Sequence, residues 1–286
     1  MGGSRISPFV RWVQLVLLVV VLSAPVLRAP PRSGHAVAVA TDAAGHTYPD
    51  LSVEVTELRL SRSINFDPQT QTWFQDPTTP PILYFDMSVH NRGAVSLELA
   101  VDDAQPTAPT VSQCVSWRTM YLCNRHSVLP PGSVGWNAGS QMLEFRQFAR
   151  FEVRRFGADG QVDYTDDGLV AWRDRSVLCV MDSQAMHGRP AHVRGYETCM
   201  DRQQGIRPGW SDIHDMSETG QNVVLPMDIA DGRYALIVAV NPARHLREAD
   251  FADNRFVTTV ELSVGNLRAV TLHRSVAAEE TVLSPG

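Results

Sequence analysis

Short runs of alternating apolar and polar residues, separated by turn residues, occupy the chain from Tyr48 onward and restrict its possible folds. "LSVEVTELRL" and "ILYFDMSVHN" alternate with a period of two, as a strand with one buried face does. "DGRYALIVAVNP" and the following "NRFVTTVELSV" have the pattern of two paired strands. After residue 40 no helix-length stretch has a 3.6-residue period. The pattern predicts an all-β protein, a single β-sandwich domain with long loops.

Turn residues between these runs predict the local connections. "HNRGA" is predicted to join "ILYFDMSVHN" and "VSLELAV" as a hairpin. Ala158-Asp159-Gly160 has the Asp-Gly signal of a tight turn. "SVLCVMD" is predicted as a strand. The segment from Gly188 to Thr219, rich in Gly, Pro, Asp and Ser, is predicted as a long loop of the functional or disulfide-tied kind.

The first 40 residues have the pattern of an N-terminal signal peptide. Arg5 and Arg11 precede the apolar run "WVQLVLLVVVLSA", and Ala38-Val39-Ala40 offers a small-residue cleavage site. An uncleaved anchor is the alternative, but the apolar run is shorter than the roughly 20 residues that a spanning helix needs. We therefore expect a signal peptide and leader over 1–40, a domain over 41–264 and a C-terminal tail over 265–286. The protein would be secreted or extracytoplasmic, with no transmembrane span after cleavage.

The charge and the cysteines agree with export. A chain starting near Thr41 loses four arginines and no acids, so its formal charge changes from −6 to −10. Such an acidic protein is not expected to bind nucleic acid. The four cysteines allow three pairings, and the sequence-local ones, Cys114–Cys123 and Cys179–Cys199, are expected in an oxidising compartment. A thiolate metal site is disfavoured because no pair has CxxC spacing.

Three stretches together resemble the lysyl oxidase family in its smaller bacterial form. They are "YPDLSVEVTELRL … LYFDMSVHNRGAVSLEL", "FARFEVRRFGADGQV … SVLCVMD" and "QGIRPGWSDIHD … DIADGRYALIVAVNPARHLREADFADN". The third carries the family elements P-G-x-x-D, D-G-x-Y and V-N-P … E-x-D-x-x-x-N in order. The resemblance implies a lysyl-oxidase-like β-sandwich and, in the family, a copper-dependent protein-lysine 6-oxidase that uses lysine tyrosylquinone.

The last element also occurs in immunoglobulin-like adhesion modules, where Asn or Asp side chains hold the turn between terminal strands. We expect the same turn role, rather than catalysis, for Asn241, Glu248, Asp250 and Asn254.

The copper positions implied by the resemblance lack histidine. Family members carry histidines at alternating positions before the strand that corresponds to "FARFEV", but the matching window here is "GWNAGSQMLEFRQ". Met142 and Glu144 fall where two histidines would be. These side chains do not make a tight Cu(II) site, and we expect Met142 to pack in the core and Glu144 to be solvated.

The quinone positions are also replaced. All 25 basic residues are arginine, and the chain contains no lysine. Arg175 is the basic residue nearest to the family's lysine position, and its permanently protonated guanidinium cannot form the cross-link. His214 stands where the resemblance puts the tyrosine, and histidine has no phenol to oxidise. We assign no catalytic and no cofactor-binding residue.

Other chemistry has little support in the sequence. G-x-S-x-G, H-E-x-x-H and Gly-rich phosphate-loop motifs are absent. A cluster of three histidines in the predicted loop region is geometrically conceivable. The remaining metal candidates are Met142, Glu144, His187, His192 and His214.

These observations predict an exported lysyl-oxidase-like pseudoenzyme, without cofactor and without amine oxidase activity, that acts as a binding or structural module. Its partner would be a protein or peptide, with cationic segments favoured by the acidic surface. Two alternatives stay open. One is a copper-dependent amine oxidase of the protein-lysine 6-oxidase type, acting on primary amines with oxygen through ligands from elsewhere in the chain. The other is an adhesive immunoglobulin-like module.

Overall fold

A computed structural model describes residues 47–103, 109–119, 122–140, 142–177, 179–189 and 193–276. These residues form seventeen β-strands and no helix, so the predicted all-β class is confirmed. The described residues therefore include no helix long and apolar enough to cross a membrane. The predicted signal peptide, residues 1–40, lies outside the described residues. The strands are β1 (Leu51–Ser61), β2 (Ile64–Asp67), β3 (Thr72–Gln75), β4 (Ile82–Asn91), β5 (Leu97–Asp103), β6 (Thr110–Thr119), β7 (Leu122–Val128), β8 (Val134–Asn137), β9 (Met142–Arg154), β10 (Leu169–Val177), β11 (Gln184–Ala185), β12 (Gln203–Ile206), β13 (Trp210–His214), β14 (Asn222–Val224), β15 (Gly232–Val240), β16 (Arg255–Ser263) and β17 (Arg268–Val276).

The strands form three antiparallel sheets and one separate hairpin. The first sheet has the order β1-β4-β13-β11, with β14 also paired to β4. The second has the order β10-β9-β15-β16-β17, with β8 paired to β9. The third has the order β12-β5-β6-β7, and β2 pairs with β3 alone. The predicted pairing of "DGRYALIVAV" with "NRFVTTVELSV" is present as β15 and β16.

The core lies between the first and second sheets. Phe85 of β4 and Phe151 of β9 are fully buried, and their rings meet edge to face with centroids 4.8 Å apart. Alternate residues of both strands belong to the same buried cluster, because every second side chain of a strand points to one face. The two apolar faces therefore pack against each other as a sandwich.

The predicted hairpin between β4 and β5 is wrong. β4 pairs with β1, β13 and β14, whereas β5 pairs with β6 and β12 in the third sheet. Asn91 holds the chain at the point where it leaves the first sheet. Its buried side-chain amide donates to the carbonyls of Val95 (2.9 Å) and Ile206 (2.7 Å). Gly93 follows, and a Cβ there would lie 2.7 Å from the backbone nitrogen of Asp50. The "HNRGA" segment thus moves the chain to a different sheet.

Four further segments can be compared with the sequence-based expectations. Strand β10 ends at Val177, so residues 179–182 of the predicted "SVLCVMD" strand are not in a strand. Within the predicted long loop, β12 pairs with β5 and β13 pairs with β4. Gly160 has a φ of 78°, which confirms the expected Asp-Gly turn. Strand β17 pairs with β16, so the second sheet continues into the segment expected as a tail.

Candidate functional site

Arg175 and His214, which the sequence resemblance predicts at the two quinone positions, line one cavity of about 320 Å³. The cavity lies beside the end of β10, strand β13 and the turn that follows it. The lining residues are Met142, Arg175, Cys179, Met181, Ser183, Cys199, Asp212, Ile213, His214, Glu218 and Thr219.

Strand β13 positions two of the ionisable groups. It pairs with β4 so that His214 lies opposite Met87 and Asp212 lies opposite Val89. Residues i and i+2 of a strand share a face, which brings the Asp212 carboxylate next to the His214 imidazole. Both residues are buried, and Phe148 of β9 packs edge-on against the imidazole at a ring distance of 6.1 Å.

Glu218 links His214 to Arg175. Its Oε2 atom lies 3.2 Å from His214 Nδ1 and accepts a hydrogen bond from the Arg175 guanidinium at 2.7 Å. The Arg175 guanidinium also donates to the carbonyl of Thr219 at 2.5 Å and to the side chain of Gln221 at 3.3 Å. On the other side of the ring, His214 Nε2 lies 3.4 Å from Asp212 Oδ2. We call Arg175, Glu218, His214 and Asp212 the ion cluster.

The carboxylates set the protonation state of His214. Burial alone would lower its pKa, but the neighbouring carboxylates of Asp212 and Glu218 raise the pKa to about 9. Burial opposes ionisation of Glu218, yet His214 and Arg175 lower the pKa of this carboxyl. At neutral pH His214 is therefore an imidazolium, and the ion cluster carries two positive and two negative charges.

Some buried polar atoms at the cavity have no hydrogen-bond partner among the described residues. They are Asp212 Oδ2 and His214 Nε2, which lie 3.4 Å apart in a geometry too poor for a hydrogen bond. The other oxygen of Asp212 accepts a hydrogen bond from Ser183 at 3.1 Å. One acceptor and one imidazolium donor thus remain for a water or a ligand. An imidazolium can donate a proton, but it cannot act as a general base or bind a metal.

A disulfide lines the same cavity, and Asp182 holds the loop that carries one of its cysteines. Cys179 and Cys199 form one disulfide, and Cys114 and Cys123 form the other, so both expected pairings are confirmed. The buried carboxylate of Asp182 accepts hydrogen bonds from three backbone amides of the loop that carries Cys199 and of its continuation: Gly195 (2.9 Å), Tyr196 (3.2 Å) and Arg207 (2.7 Å).

The metal candidates named from the sequence do not all meet. Met142 lines the cavity with His214, whereas Glu144 lies 3.8 Å from Arg146 and is not among the lining residues. His187 is exposed and does not line the cavity. His192 lies outside the described residues.

Sequence reasoning did not identify Glu218 and Asp212 as partners of His214. Asp212 is two residues before it on a strand, which is a signal for a shared face. Glu218 follows a turn, and its proximity to Arg175 depends on tertiary structure.

A second cluster of possible ligand atoms lies in the third sheet. Atoms of Glu98, Cys114, Cys123 and His126 are all within 4.8 Å of one another. The two sulfurs are joined as a disulfide and offer no thiolate. His126 and Glu98 are paired at 3.3 Å, and Tyr196 donates to the other oxygen of Glu98 at 2.9 Å. In the oxidised protein these groups form a structural network and not a thiolate metal site.

The residues expected in turn chemistry hold the loop between β15 and β16. Glu248 is buried and accepts hydrogen bonds from the side chains of Asn241 (2.5 Å) and Asn254 (2.8 Å) and from the backbone of Leu51 (3.0 Å). Asp250 accepts a hydrogen bond from the amide of Ala252 at 2.8 Å, as in an Asx turn.

Residues 161–271 match the lysyl oxidase family model. The match includes all four residues of the ion cluster and the Cys179–Cys199 disulfide, while Met142 and Glu144 precede it. No curated protein matches the chain. The resemblance to the lysyl oxidase family is therefore confirmed over this segment.

Proposed function

We propose that this lysyl-oxidase-like protein has no amine oxidase activity and acts outside the cell as a binding or structural module. The observation that carries the proposal is the Arg175–Glu218–His214 chain. It joins the residues at the two quinone positions through a shared carboxylate oxygen instead of a covalent bond.

The residues present do not fit lysine tyrosylquinone. That cofactor needs a lysine and a tyrosine, and this chain contains no lysine. Arg175 keeps its proton because guanidinium pKa values are too high for it to become a nucleophile. His214 is protonated at neutral pH and has no phenol. No step of the family reaction can be derived through these side chains.

The residues at the cavity do not fit Cu(II) either. Among the described lining residues His214 is the one imidazole, and its Nδ1 and Nε2 atoms face carboxylates at 3.2 and 3.4 Å. A copper ion would have to displace a proton that the carboxylates stabilise. Met142 and Met181 offer thioethers, which are soft ligands and do not favour Cu(II).

A binding role is supported by the free hydrogen-bonding capacity of the cavity. Among the residues that the structure describes, buried Asp212 Oδ2 has no hydrogen-bond partner, so a donor from a ligand would satisfy it. A cationic side chain of a peptide is the donor we propose, since the chain is acidic overall. Export is part of the proposal, and the two disulfides fit an oxidising compartment.

The alternative is a copper-dependent amine oxidase, which the family match favours. Three assays on the full chain, purified after growth with copper, distinguish the oxidase from the inactive module. They are metal analysis, quinone staining and the release of hydrogen peroxide from a primary amine. We expect no stoichiometric copper, no stain and no peroxide. Copper-dependent peroxide release would overturn the proposal.

The binding role has its own test. A lysine-rich peptide would be titrated into the protein at rising salt, beside the same peptide with norleucine in place of lysine. We expect saturable, salt-sensitive binding of the lysine peptide and weaker binding to the Asp212→Asn variant. Asp228→Asn, which removes an exposed carboxylate, is the matched control. Equal binding of both peptides, or none, would contradict the role.

A further inference from the structure

A second cavity, of about 220 Å³, lies on the outer face of the second sheet. Its floor and walls come from β9, β15, β16 and the loop between β15 and β16. Three of its lining residues are arginines: Arg150, Arg244 and Arg255. It shares no lining residue with the cavity of the ion cluster, so its function can be tested separately.

Strand register creates the space between two of these arginines. Ala239 of β15 pairs with Arg150 of β9 on one side and with Arg255 of β16 on the other. Neighbouring strands are about 4.8 Å apart, so the two arginine backbones are about 10 Å apart with a methyl group between them. Two long cationic side chains thus stand on either side of a short one, which leaves room for a small group above Ala239.

Each of the three arginines lies over an aromatic ring. The guanidinium carbon of Arg150 is 4.6 Å from the ring centre of Trp172, and that of Arg255 is 4.6 Å from the ring centre of Tyr164. Arg244 lies 4.9 Å from the ring centre of Phe251. Such stacking orients a guanidinium without neutralising it. The N–H groups at the guanidinium edges remain able to donate to a ligand.

The charges around this cavity do not cancel. Among the described lining residues Glu152 is the one acid, and it already pairs with Arg154 at 2.6 Å and with Arg150 at 3.2 Å. Asp174 is a further 4.0 Å partner of Arg150. In the part of the chain that the structure describes, neither Arg244 nor Arg255 has a carboxylate within ion-pair distance. The lining residues carry three positive charges and one negative charge, in a protein whose net charge is −6.

The loop that carries Arg244 and Phe251 is held in place. Glu248 bonds to Asn241 at the start of this loop and to Asn254 at its end. Asn241 also donates to the carbonyl of Leu246 at 2.8 Å. The arginine and its ring are therefore positioned before any ligand arrives, which lowers the entropic cost of binding.

We propose that this cavity is a binding site for an oxyanion group, held by the guanidinium edges of Arg150, Arg244 and Arg255 above Ala239. Guanidinium forks match carboxylate, sulfate and phosphate oxygens. The ligand is a free anion or an anionic group carried by a larger molecule, and the apolar walls of Ile237 and Phe251 would contact its carbon skeleton.

The test is a titration of the full chain with inorganic phosphate, inorganic sulfate and glutarate at constant ionic strength. The Trp172 indole signal and the arginine side-chain signals would be followed by NMR. We expect saturable shifts, and tighter binding of phosphate and sulfate than of glutarate would indicate a phosphate or sulfate ester as the natural group. The reverse order would indicate a carboxylate.

Variants localise the binding. Arg255→Gln and Arg244→Gln should each weaken it at least about tenfold, because each removes a charged donor. Arg233→Gln is the matched control, since Arg233 is also stacked on a ring, Phe156, but does not line the cavity. Ala239→Glu would place a carboxylate in the floor and should abolish binding, with thermal unfolding used to check its fold. Absence of saturable shifts with all three anions, or equal binding by the wild type and both arginine variants, would overturn the proposal.

Discussion

Asp212→Asn is the substitution that most directly tests the ion cluster. The pKa of His214 is about 9 in the folded protein against an ordinary value of 6.5. This difference corresponds to about 3 kcal/mol of stability, since each unit is worth about 1.4 kcal/mol. Because the folded pKa is the higher one, the contribution is fully present below pH 6.5 and is lost as the pH rises through 9. Asparagine keeps the acceptor for Ser183 but removes the charge that opposes the burial of an imidazolium.

Two measurements check this expectation. In the variant, the His214 ring signals in an NMR titration should move to a pKa well below that of the wild type. Urea unfolding should find the variant about 2–3 kcal/mol less stable at pH 6, with a gap that narrows towards pH 9. Asp228→Asn should leave both measurements unchanged because that carboxylate is exposed. An ordinary titration of His214 in the wild type, or a stability gap that does not vary with pH, would refute the reasoning.

Three further predictions concern stability. Replacing both Cys179 and Cys199 by serine should lower the unfolding free energy by about 3 kcal/mol, as expected for a 20-residue separation, and urea denaturation would detect it. Burial raises the pKa of Glu248 from 4.5 to about 8. Because the folded pKa is the higher one, this carboxyl contributes stability that is fully present below pH 4.5 and is lost as the pH rises through 8. Glu248→Gln should therefore flatten the decline of the unfolding free energy over this pH range, measured by urea denaturation at a series of pH values. Phe85→Ala should cost about 3–5 kcal/mol by opening a core cavity, whereas the same change at the exposed Phe74 should cost less than about 0.5 kcal/mol; equal effects would contradict the packing described for the core.

The candidate site was only partly predictable. Arg175 and His214 were identified from the sequence through the resemblance to lysyl oxidases, and the structure brings them to one cavity. The sequence did not predict that Glu218 connects them, because Glu218 lies in a turn 43 residues after Arg175 and only the fold brings the two together. The prediction that His187 could join His214 in a cluster of histidines is wrong, because His187 is exposed and does not line the cavity.

The sequence by itself determined the properties that depend on local pattern or on composition. Alternation of apolar and polar residues with a period of two predicted the strands, and the short sequence separation between cysteines predicted both disulfides. The absence of lysine removed one precursor of the cofactor that the resemblance implies. Only the tertiary structure decided that β5 leaves the sheet of β4, that the ion cluster balances its own charges, and that Ala239 separates Arg150 from Arg255. The physical reason is that these arrangements depend on register between strands far apart in the chain, and register is determined by the joint burial of many side chains.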